Sequence, residues 1–190
     1  MGGHPATDRT AARRERRATR LEQRAALDEP GPVMDAAAAF LAVRPRSVAE
    51  TRRRLRHLGY PPPLVESVVE RLIQVGYLDD AAFARTWVGS RDRARPRGES
   101  ALRRELTLKG VPRQVVDEVL AERAESSESE DPDRAAALAL LERRRAALDR
   151  EPDPRRRRQK AYALLARNGF DPETCRDVSV TFLARPDELA

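Results

Sequence analysis

The sequence has few of the residues that usually carry catalysis or metal binding. Among its 190 residues are one Cys, two His, one Trp and two Lys, and aromatic residues make up only 4%. A single cysteine, Cys175, excludes an internal disulfide. Two His and one Cys are too few ligands for a zinc site. The shortage of aromatics disfavours base stacking as the main way of holding nucleic acid.

Catalytic motifs are missing as well. No G-x-x-x-x-G-K-[ST] stretch occurs, so neither a phosphate-binding loop nor ATP hydrolysis is expected. A nucleophile–base set would have to use His4 near the start or His57 among arginines, and neither has a suitable setting. Asp79 and Asp80 fit a helix cap better than a catalytic carboxylate pair. We therefore expect a protein that is not an enzyme, with no catalytic residues, no metal and no cofactor.

Long apolar segments are also lacking. No run approaches the roughly 20 apolar residues that a membrane helix needs, and the first residues have no hydrophobic stretch of the signal-peptide type. These features favour a soluble, cytoplasmic protein without a membrane partner.

Arginine, in contrast, is abundant. The chain has 37 Lys and Arg against 31 Asp and Glu, a net charge of +6, and all but Lys109 and Lys160 of the basic residues are Arg. A GC-rich genome would raise Arg and Ala together. An anionic partner, such as nucleic acid or an acidic protein, would also favour Arg, whose planar fork grips phosphate or carboxylate at two points. The placement of the arginines is therefore more informative than their number.

One phrase occurs three times, as LRHLGYPPPLVESVV at 55–69, LTLKGVPRQVVDEVL at 106–120 and LARNGFDPETCRDVS at 165–179. In each, a glycine ends a helical pattern, an apolar residue follows it, and a proline stands where the next helix begins. This order is typical of a Schellman ending, in which the apolar residue after the glycine contacts one five positions earlier. The expected pairs are Leu55 with Tyr60, Leu106 with Val111, Leu165 with Phe170 and, around Gly76, Leu72 with Tyr77.

The similarity extends beyond these phrases. A shift of 51 positions carries Arg44-Pro45-Arg46 onto Arg95-Pro96-Arg97, and a further shift of 59 carries Gly110 onto Gly169. The same shifts bring Cys175 onto two valines, which predicts a small core residue. Such internal repetition indicates tandem supersecondary units that share apolar surface. We predict an all-α protein with three tandem three-helix repeats in an elongated, curved array, preceded by a disordered N-terminal tail.

The predicted organisation divides the chain into five parts. Residues 1–33 form a disordered basic tail that could become helical on a partner. Repeats occupy 34–78, 79–124 and 133–190, and an acidic, Ser-rich linker covers 125–132. Within each repeat the middle helix is basic and the third helix is acidic. A helix-turn-helix reader of DNA would place that acidic third helix against phosphates, so sequence-specific duplex reading is disfavoured.

Three stretches carry a family resemblance: RPRSVAETRRRLRHLGY, VVERLIQVGYLDDAAFARTWVGSR and RPRGESALRRELTLKGV. They resemble the RecX family of bacterial recombination regulators over residues 34–124, and RRRRQKAYALLARNGFDPETCRDV continues the likeness more weakly. The resemblance implies tandem three-helix repeats that bind the RecA filament on single-stranded DNA. It further implies a modulator, expected to inhibit ATPase, strand exchange and coprotease activities in homologous recombination, DNA repair and the SOS response.

Charge placement, rather than a known family site, selects the candidate contacts. They are the basic residues of the middle helices and of the loops that enter them: Arg44, Arg46, Arg52, Arg53, Arg56, Arg95, Arg97, Arg103, Arg104, Lys109, Arg156 and Arg157. The expected partners are the RecA filament and single-stranded DNA, with weaker binding to duplex DNA, and the protein is expected to be a monomer. Two alternatives are a general nucleic-acid-binding helical protein independent of RecA and a helical adaptor for another protein.

Overall fold

The computed structural model describes residues 5–126 and 131–183, and all regular secondary structure in these ranges is helical. The chain divides into two compact units, Met1–Asp79 and Asp80–Ala190. The first contains α1 (Pro5–Ala25), α2 (Gly31–Leu41), α3 (Val48–His57) and α4 (Pro62–Gln74). The second contains α5 (Asp80–Ala94), α6 (Glu99–Lys109), α7 (Arg113–Ser126), α8 (Pro132–Leu148), α9 (Pro154–Arg167) and α10 (Pro172–Leu183).

Helices α2 to α10 form three groups of three, and each group surrounds its own apolar cluster. Residues that the internal shifts relate to one another occupy equivalent core positions. Each is at most 1% exposed: Leu55, Leu106 and Leu165 on the middle helices, and Val65, Val116 and Cys175 on the third helices. The prediction of an all-α protein with three three-helix repeats is confirmed, and Cys175 is a core residue. The elongated, curved arrangement stays a prediction.

Local capping residues fix where the helices begin. Ser47 precedes α3, and its hydroxyl accepts a hydrogen bond from the backbone N–H of Glu50 at 3.0 Å. The Glu50 carboxylate in turn accepts one from the backbone N–H of Ser47 at 3.3 Å. This reciprocal pair is the capping box that the sequence predicts. In the third repeat, Asp131 and Asp153 cap α8 and α9 through their side chains.

Glycines with positive φ follow four helices: Gly59, Gly76, Gly110 and Gly169. After each glycine, the next backbone N–H donates to a carbonyl five residues earlier, as a Schellman ending requires. Tyr60, Val111 and Phe170, which follow three of these glycines, are buried as predicted. The fourth ending differs from the prediction: Tyr77 is 75% exposed, and the next residue, Leu78, is buried at 2%.

Residues 1–33 are predicted to be a disordered tail that could become helical on a partner, and the structure has a helix over Pro5–Ala25. Its side chains from 10 to 20 are exposed, in keeping with their polar composition. Leu21, Arg24 and Leu27 are half-buried, and Leu27 packs against the core of the first repeat. Residues 1–4 of the predicted tail lie outside the described part of the chain.

The helices on either side of the predicted acidic linker, residues 125–132, extend into it. Helix α7 ends at Ser126 and α8 begins at Pro132, while residues 127–130 of the predicted linker lie outside the described ranges. No helix within 5–126 or 131–183 is long and apolar enough to cross a bilayer.

Specific contacts join repeats two and three within the second unit. The backbone N–H of Gly98 donates to the carbonyl of Asn168 at 3.1 Å, and the Ser100 hydroxyl donates to the carbonyl of Gly169 at 2.6 Å. Arg123, with a side chain only 10% exposed, bridges Asp92 at 3.0 Å and Asp133 at 2.7 Å. The third repeat is therefore docked on the second by backbone and ionic contacts.

Candidate binding surface

In the first repeat, two candidate arginines are ion-paired with the acidic third helix. Arg52 and Arg56 on α3 both contact Glu66 on α4, with N–O distances of 2.9 and 2.7 Å. Burial raises the pKa of the Glu66 carboxyl, but the hydrogen bonds from the two guanidinium groups outweigh it and lower that pKa overall. Glu66 therefore offsets one of the two positive charges of this pair of arginines within the repeat.

The second repeat reproduces this arrangement. Arg103 on α6 contacts Asp117 on α7, and both positions follow from Arg52 and Glu66 by the shift of 51. Arg103 also lies 2.8 Å from Glu99, one turn earlier on its own helix. Hydrogen bonds to Glu99 and Asp117 raise the pKa of the Arg103 guanidinium. The sequence shows both charged helices, but only the structure shows that they face each other.

Other candidates stay open to solvent. Arg53 and Arg104 are the residues next to Arg52 and Arg103, and the shift of 51 relates them to each other. Both are exposed, and within the described residues neither has an ion-pair partner. Arg95 is exposed in the same way. These three form what we call the free arginine set of the first two repeats, and they can contact an anion without first breaking an ion pair.

In each R-P-R block, 44–46 and 95–97, the first arginine is exposed to solvent and the second is partly buried. The second arginine is drawn inward: Arg46 stacks over the ring of Phe40 at 4.1 Å, and Arg97 lies 3.6 Å from Glu105 and donates to the side-chain oxygen of Asn168. Burial lowers the pKa of Arg46. Both candidates therefore take part in packing within the protein, although their partners differ.

Arg44 and Lys109 are not fully free in solvent, because each has a partner within the protein. Arg44 is exposed and lies 3.9 Å from the carboxylate of Glu50. Lys109 places its ammonium 4.8 Å from the ring centroid of Trp87, on which Arg91 also stacks at 4.5 Å. This cation–π arrangement stabilises the ring in place, so Lys109 contributes to packing around the single tryptophan.

In the third repeat the two candidates are partly engaged. Arg156 is exposed and lies 3.6 Å from Asp153, the residue that caps its own helix. Arg157 donates from Nε to the backbone carbonyl of Glu151 at 2.9 Å. Both contacts are local to the start of α9, and they leave part of each guanidinium available to solvent.

The structure adds a groove, bordered by three arginines, that the candidate set leaves out. Arg155 and Arg158 on α9 and Arg176 on α10 line a groove of about 390 Å³ beside Tyr162. None of the three arginines has an ion-pair partner among the residues that the structure describes. The shift of 59 places Tyr162 and Arg176 where the second repeat has Arg103 and Asp117. Applying that shift to the charges would have indicated the groove from the sequence.

The chemistry of these surfaces is that of anion binding. Guanidinium groups donate paired hydrogen bonds to phosphate or carboxylate oxygens. Across the described ranges, no three His, Cys, Asp or Glu side chains cluster as metal ligands. Cys175 is fully buried, and burial raises the pKa of its thiol, which makes it a poor nucleophile. The expectation of a protein that is not an enzyme stays a prediction.

Three family models match the chain in order. The model described as RecX, first three-helix domain, matches residues 34–72. The second three-helix domain of RecX matches 79–120, and the third matches 131–178. Together they cover more than half of the chain and leave helix α1 outside.

Individual relatives agree with this assignment. Regulatory protein RecX from Mycobacterium sp. (strain JLS) is 38% identical over 147 residues, which cover 76% of this chain and 78% of that protein. RecX from Prosthecochloris aestuarii is 35% identical and covers 75% and 88%. The crystal structure of RecX from Lactobacillus salivarius has the same fold, with a TM-score of 0.69, 18% identity, and 82% and 97% coverage. The chain belongs to the RecX family of regulatory proteins.

Proposed function

We propose that this protein binds the RecA filament on single-stranded DNA and modulates it, with inhibition as the expected sign. The supporting observation is that all three RecX domains match, in order, across residues 34–178. The activities affected would be ATP hydrolysis, strand exchange and coprotease activity in the bacterial cytoplasm, where the filament forms. The protein would act by binding, since its described surfaces offer cations rather than a nucleophile–base set.

The cations that stay unpaired are the best candidates for contact. Arg53 and Arg104 project from the middle helices at equivalent positions, whereas their neighbours Arg52 and Arg103 are held by carboxylates. A guanidinium that is already ion-paired must give up that partner before it can bind a phosphate or a carboxylate of the filament. We therefore assign filament contact first to the free arginine set and to the groove of the third repeat.

A titration into RecA and single-stranded DNA tests the proposal. Rising amounts of this protein should lower the steady-state rate of ATP hydrolysis by RecA, with the full effect at or below one protein per RecA. An Arg53→Glu/Arg104→Glu variant should need more protein for the same effect. An unchanged hydrolysis rate at stoichiometric amounts, with the wild-type protein shown to be folded, would reject modulation of the filament.

A second candidate function is nucleic-acid binding independent of RecA. The groove beside Tyr162 favours it, because three arginines without ion pairs line it together with a half-buried aromatic side chain. This function predicts binding to single-stranded DNA alone, with a steep dependence on salt concentration, and no effect on RecA. The same titration therefore separates the two candidates.

A further inference from the structure

Helix α1 carries charge that neither the RecX domains nor the candidate contacts account for. The family models begin at residue 34, so α1 lies outside them. Between residues 5 and 25 the sequence has seven Arg against one Asp and two Glu, a net charge of +4. Most of the net charge of +6 on the whole chain therefore resides in this helix.

The end of α1 is fixed on the first repeat by specific contacts. Arg24 donates from Nη1 to the backbone carbonyl of Leu58 at 3.1 Å, and its guanidinium lies 5.2 Å from the ring centroid of Tyr60. Leu21 packs on the turn between α3 and α4, where a Cβ added to Gly59 would lie 2.6 Å from Leu21 Cδ2. These contacts fix the C-terminal turn of α1 against the end of α3.

Between the two helices lies a groove of about 870 Å³ with cationic walls. Arg13, Arg17 and Arg20 project from α1, and Arg54 and His57 project from α3. All five side chains are exposed. Within the described part of the chain, none of the three α1 arginines lies within ion-pair distance of a carboxylate. This differs from the middle helix of the same repeat, where two arginines form ion pairs with Glu66.

Spacing indicates what kind of anion would fit. Arginines at i, i+4 and i+7 follow one face of α1, about one per 5.4 Å turn, and like charges so placed destabilise a helix unless an anion lies between them. A small anion could satisfy one or two of them. A polymer with regularly spaced phosphates could satisfy all of them, each through a bidentate guanidinium contact.

We propose that the groove between α1 and α3 binds the sugar-phosphate backbone of a nucleic acid strand. This goes beyond the proposed modulation of the filament, because it assigns nucleic-acid contact to a helix outside the RecX domains and requires no RecA. Helix α1 would thus add a second anchoring surface to the contacts that the three repeats make.

Fluorescence anisotropy with a labelled 20-nucleotide single strand, without RecA, tests this directly. The Arg13→Gln/Arg17→Gln/Arg20→Gln variant should bind about tenfold or more weakly at low salt. Its slope of log affinity against log salt should be shallower by about 2, since each phosphate contact on a single strand contributes roughly 0.7. The corresponding triple Lys variant, which keeps the charges, should recover most of the salt slope.

A matched control removes three charges elsewhere. Arg71, Arg144 and Arg150 are exposed and have no ion pair among the described residues, so the Gln variant of all three should bind within about twofold of wild type. If both variants lost the same affinity for the single strand, binding would depend on net charge alone, and the proposed groove would be wrong. An unaffected α1 variant would overturn it as well, and displacement of the strand by polyglutamate at matched charge would reassign the groove to an acidic protein. None of these outcomes depends on the RecA titration.

Discussion

Gly98 and Gly169 lie where the backbones of the second and third repeats approach each other closely. A Cβ added to Gly98 would lie 2.2 Å from the carbonyl oxygen of Gly169 and 2.4 Å from the backbone nitrogen of Phe170. Backbone atoms cannot yield as the end of a flexible side chain can. The absence of a side chain at Gly98 is therefore what allows the Gly98–Asn168 hydrogen bond between the repeats to form.

We accordingly predict that Gly98→Ala lowers the free energy of unfolding by about 1–3 kcal/mol, the usual range for overpacking. The matched control is Gly89→Ala in helix α5, where the nearest atom is the flexible end of Arg93 at 3.2 Å. Alanine favours a helix interior over glycine, so the control should be neutral or stabilise by about 0.5–1 kcal/mol. Urea unfolding followed by circular dichroism measures both, and equal stabilities would contradict the close approach.

Glu66 makes the stability of the first repeat depend on pH. Burial raises its pKa, yet the hydrogen bonds from Arg52 and Arg56 prevail, so its folded pKa lies below the ordinary value of 4.5. A carboxylate of this kind stabilises the fold above its unfolded pKa and loses that contribution as pH falls through the folded pKa. The stabilisation should therefore be complete at pH 7 and fade below about pH 4.5.

Comparison with Glu66→Gln isolates this contribution. The variant should be less stable than wild type by up to about 1 kcal/mol at pH 7, and the difference should shrink toward pH 3. Glu70, on the same helix, is exposed and has no ion pair within the described residues, so the difference for Glu70→Gln should be small at both pH values. Thermal unfolding at pH 7 and pH 3 measures these stability differences. A difference between wild type and Glu66→Gln that grows toward pH 3 would contradict a lowered pKa of Glu66.

Among the helices and turns, the sequence predicts the endings well because their chemistry is local. A glycine in the left-handed region, an apolar residue after it and a nearby proline lie within a few positions of one another. The fourth ending shows the limit of this reasoning, since Tyr77 and Leu78 both suit the apolar position. Which of them reaches the core depends on where the chain goes after the turn, and that is set by packing with distant residues.

This ending provides a direct test. Leu78 is 2% exposed in the core of the first repeat and Tyr77 is 75% exposed, so Leu78→Ala should cost about 2–5 kcal/mol of unfolding free energy. Tyr77→Ala should stay within about 0.5 kcal/mol of wild type. Chemical denaturation measures the unfolding free energy of both variants. A larger loss for Tyr77→Ala than for Leu78→Ala would support the Tyr77 contact predicted from the sequence.

For the whole molecule, the sequence shows that basic and acidic residues lie on different helices of each repeat. It does not show which of these residues form ion pairs with one another. Basic middle helices and acidic third helices can be assigned from residue types alone. Whether Glu66 faces Arg52, or whether Arg53 next to it stays free, depends on the rotation of each helix about its axis. That rotation follows from the buried stripe of each helix and becomes certain only when the neighbouring helix is in place. The clue available in the sequence was that the shift of 51 preserves both members of the pair.

Adjacent arginines allow the consequence for binding to be measured. Arg53→Gln/Arg104→Gln and Arg52→Gln/Arg103→Gln remove the same number of charges from the same two helices, but only the second variant breaks ion pairs. If free guanidinium groups contact phosphates, the first variant should flatten the salt dependence of single-strand binding by about 1.4, or roughly 0.7 per contact. Its thermal stability should be unchanged.

The second variant should show the opposite pattern, with a lower melting temperature and a salt slope closer to that of wild type. An arginine that is held by a carboxylate within the repeat neutralises no phosphate, so removing it hardly changes the number of counterions that the strand releases on binding. Measurements at 0.1 M salt or above confine charge effects to about 10 Å, so the comparison then reports on contacts rather than on net charge. If both variants lost the same salt slope, ion pairing within the repeats would not select which arginines bind.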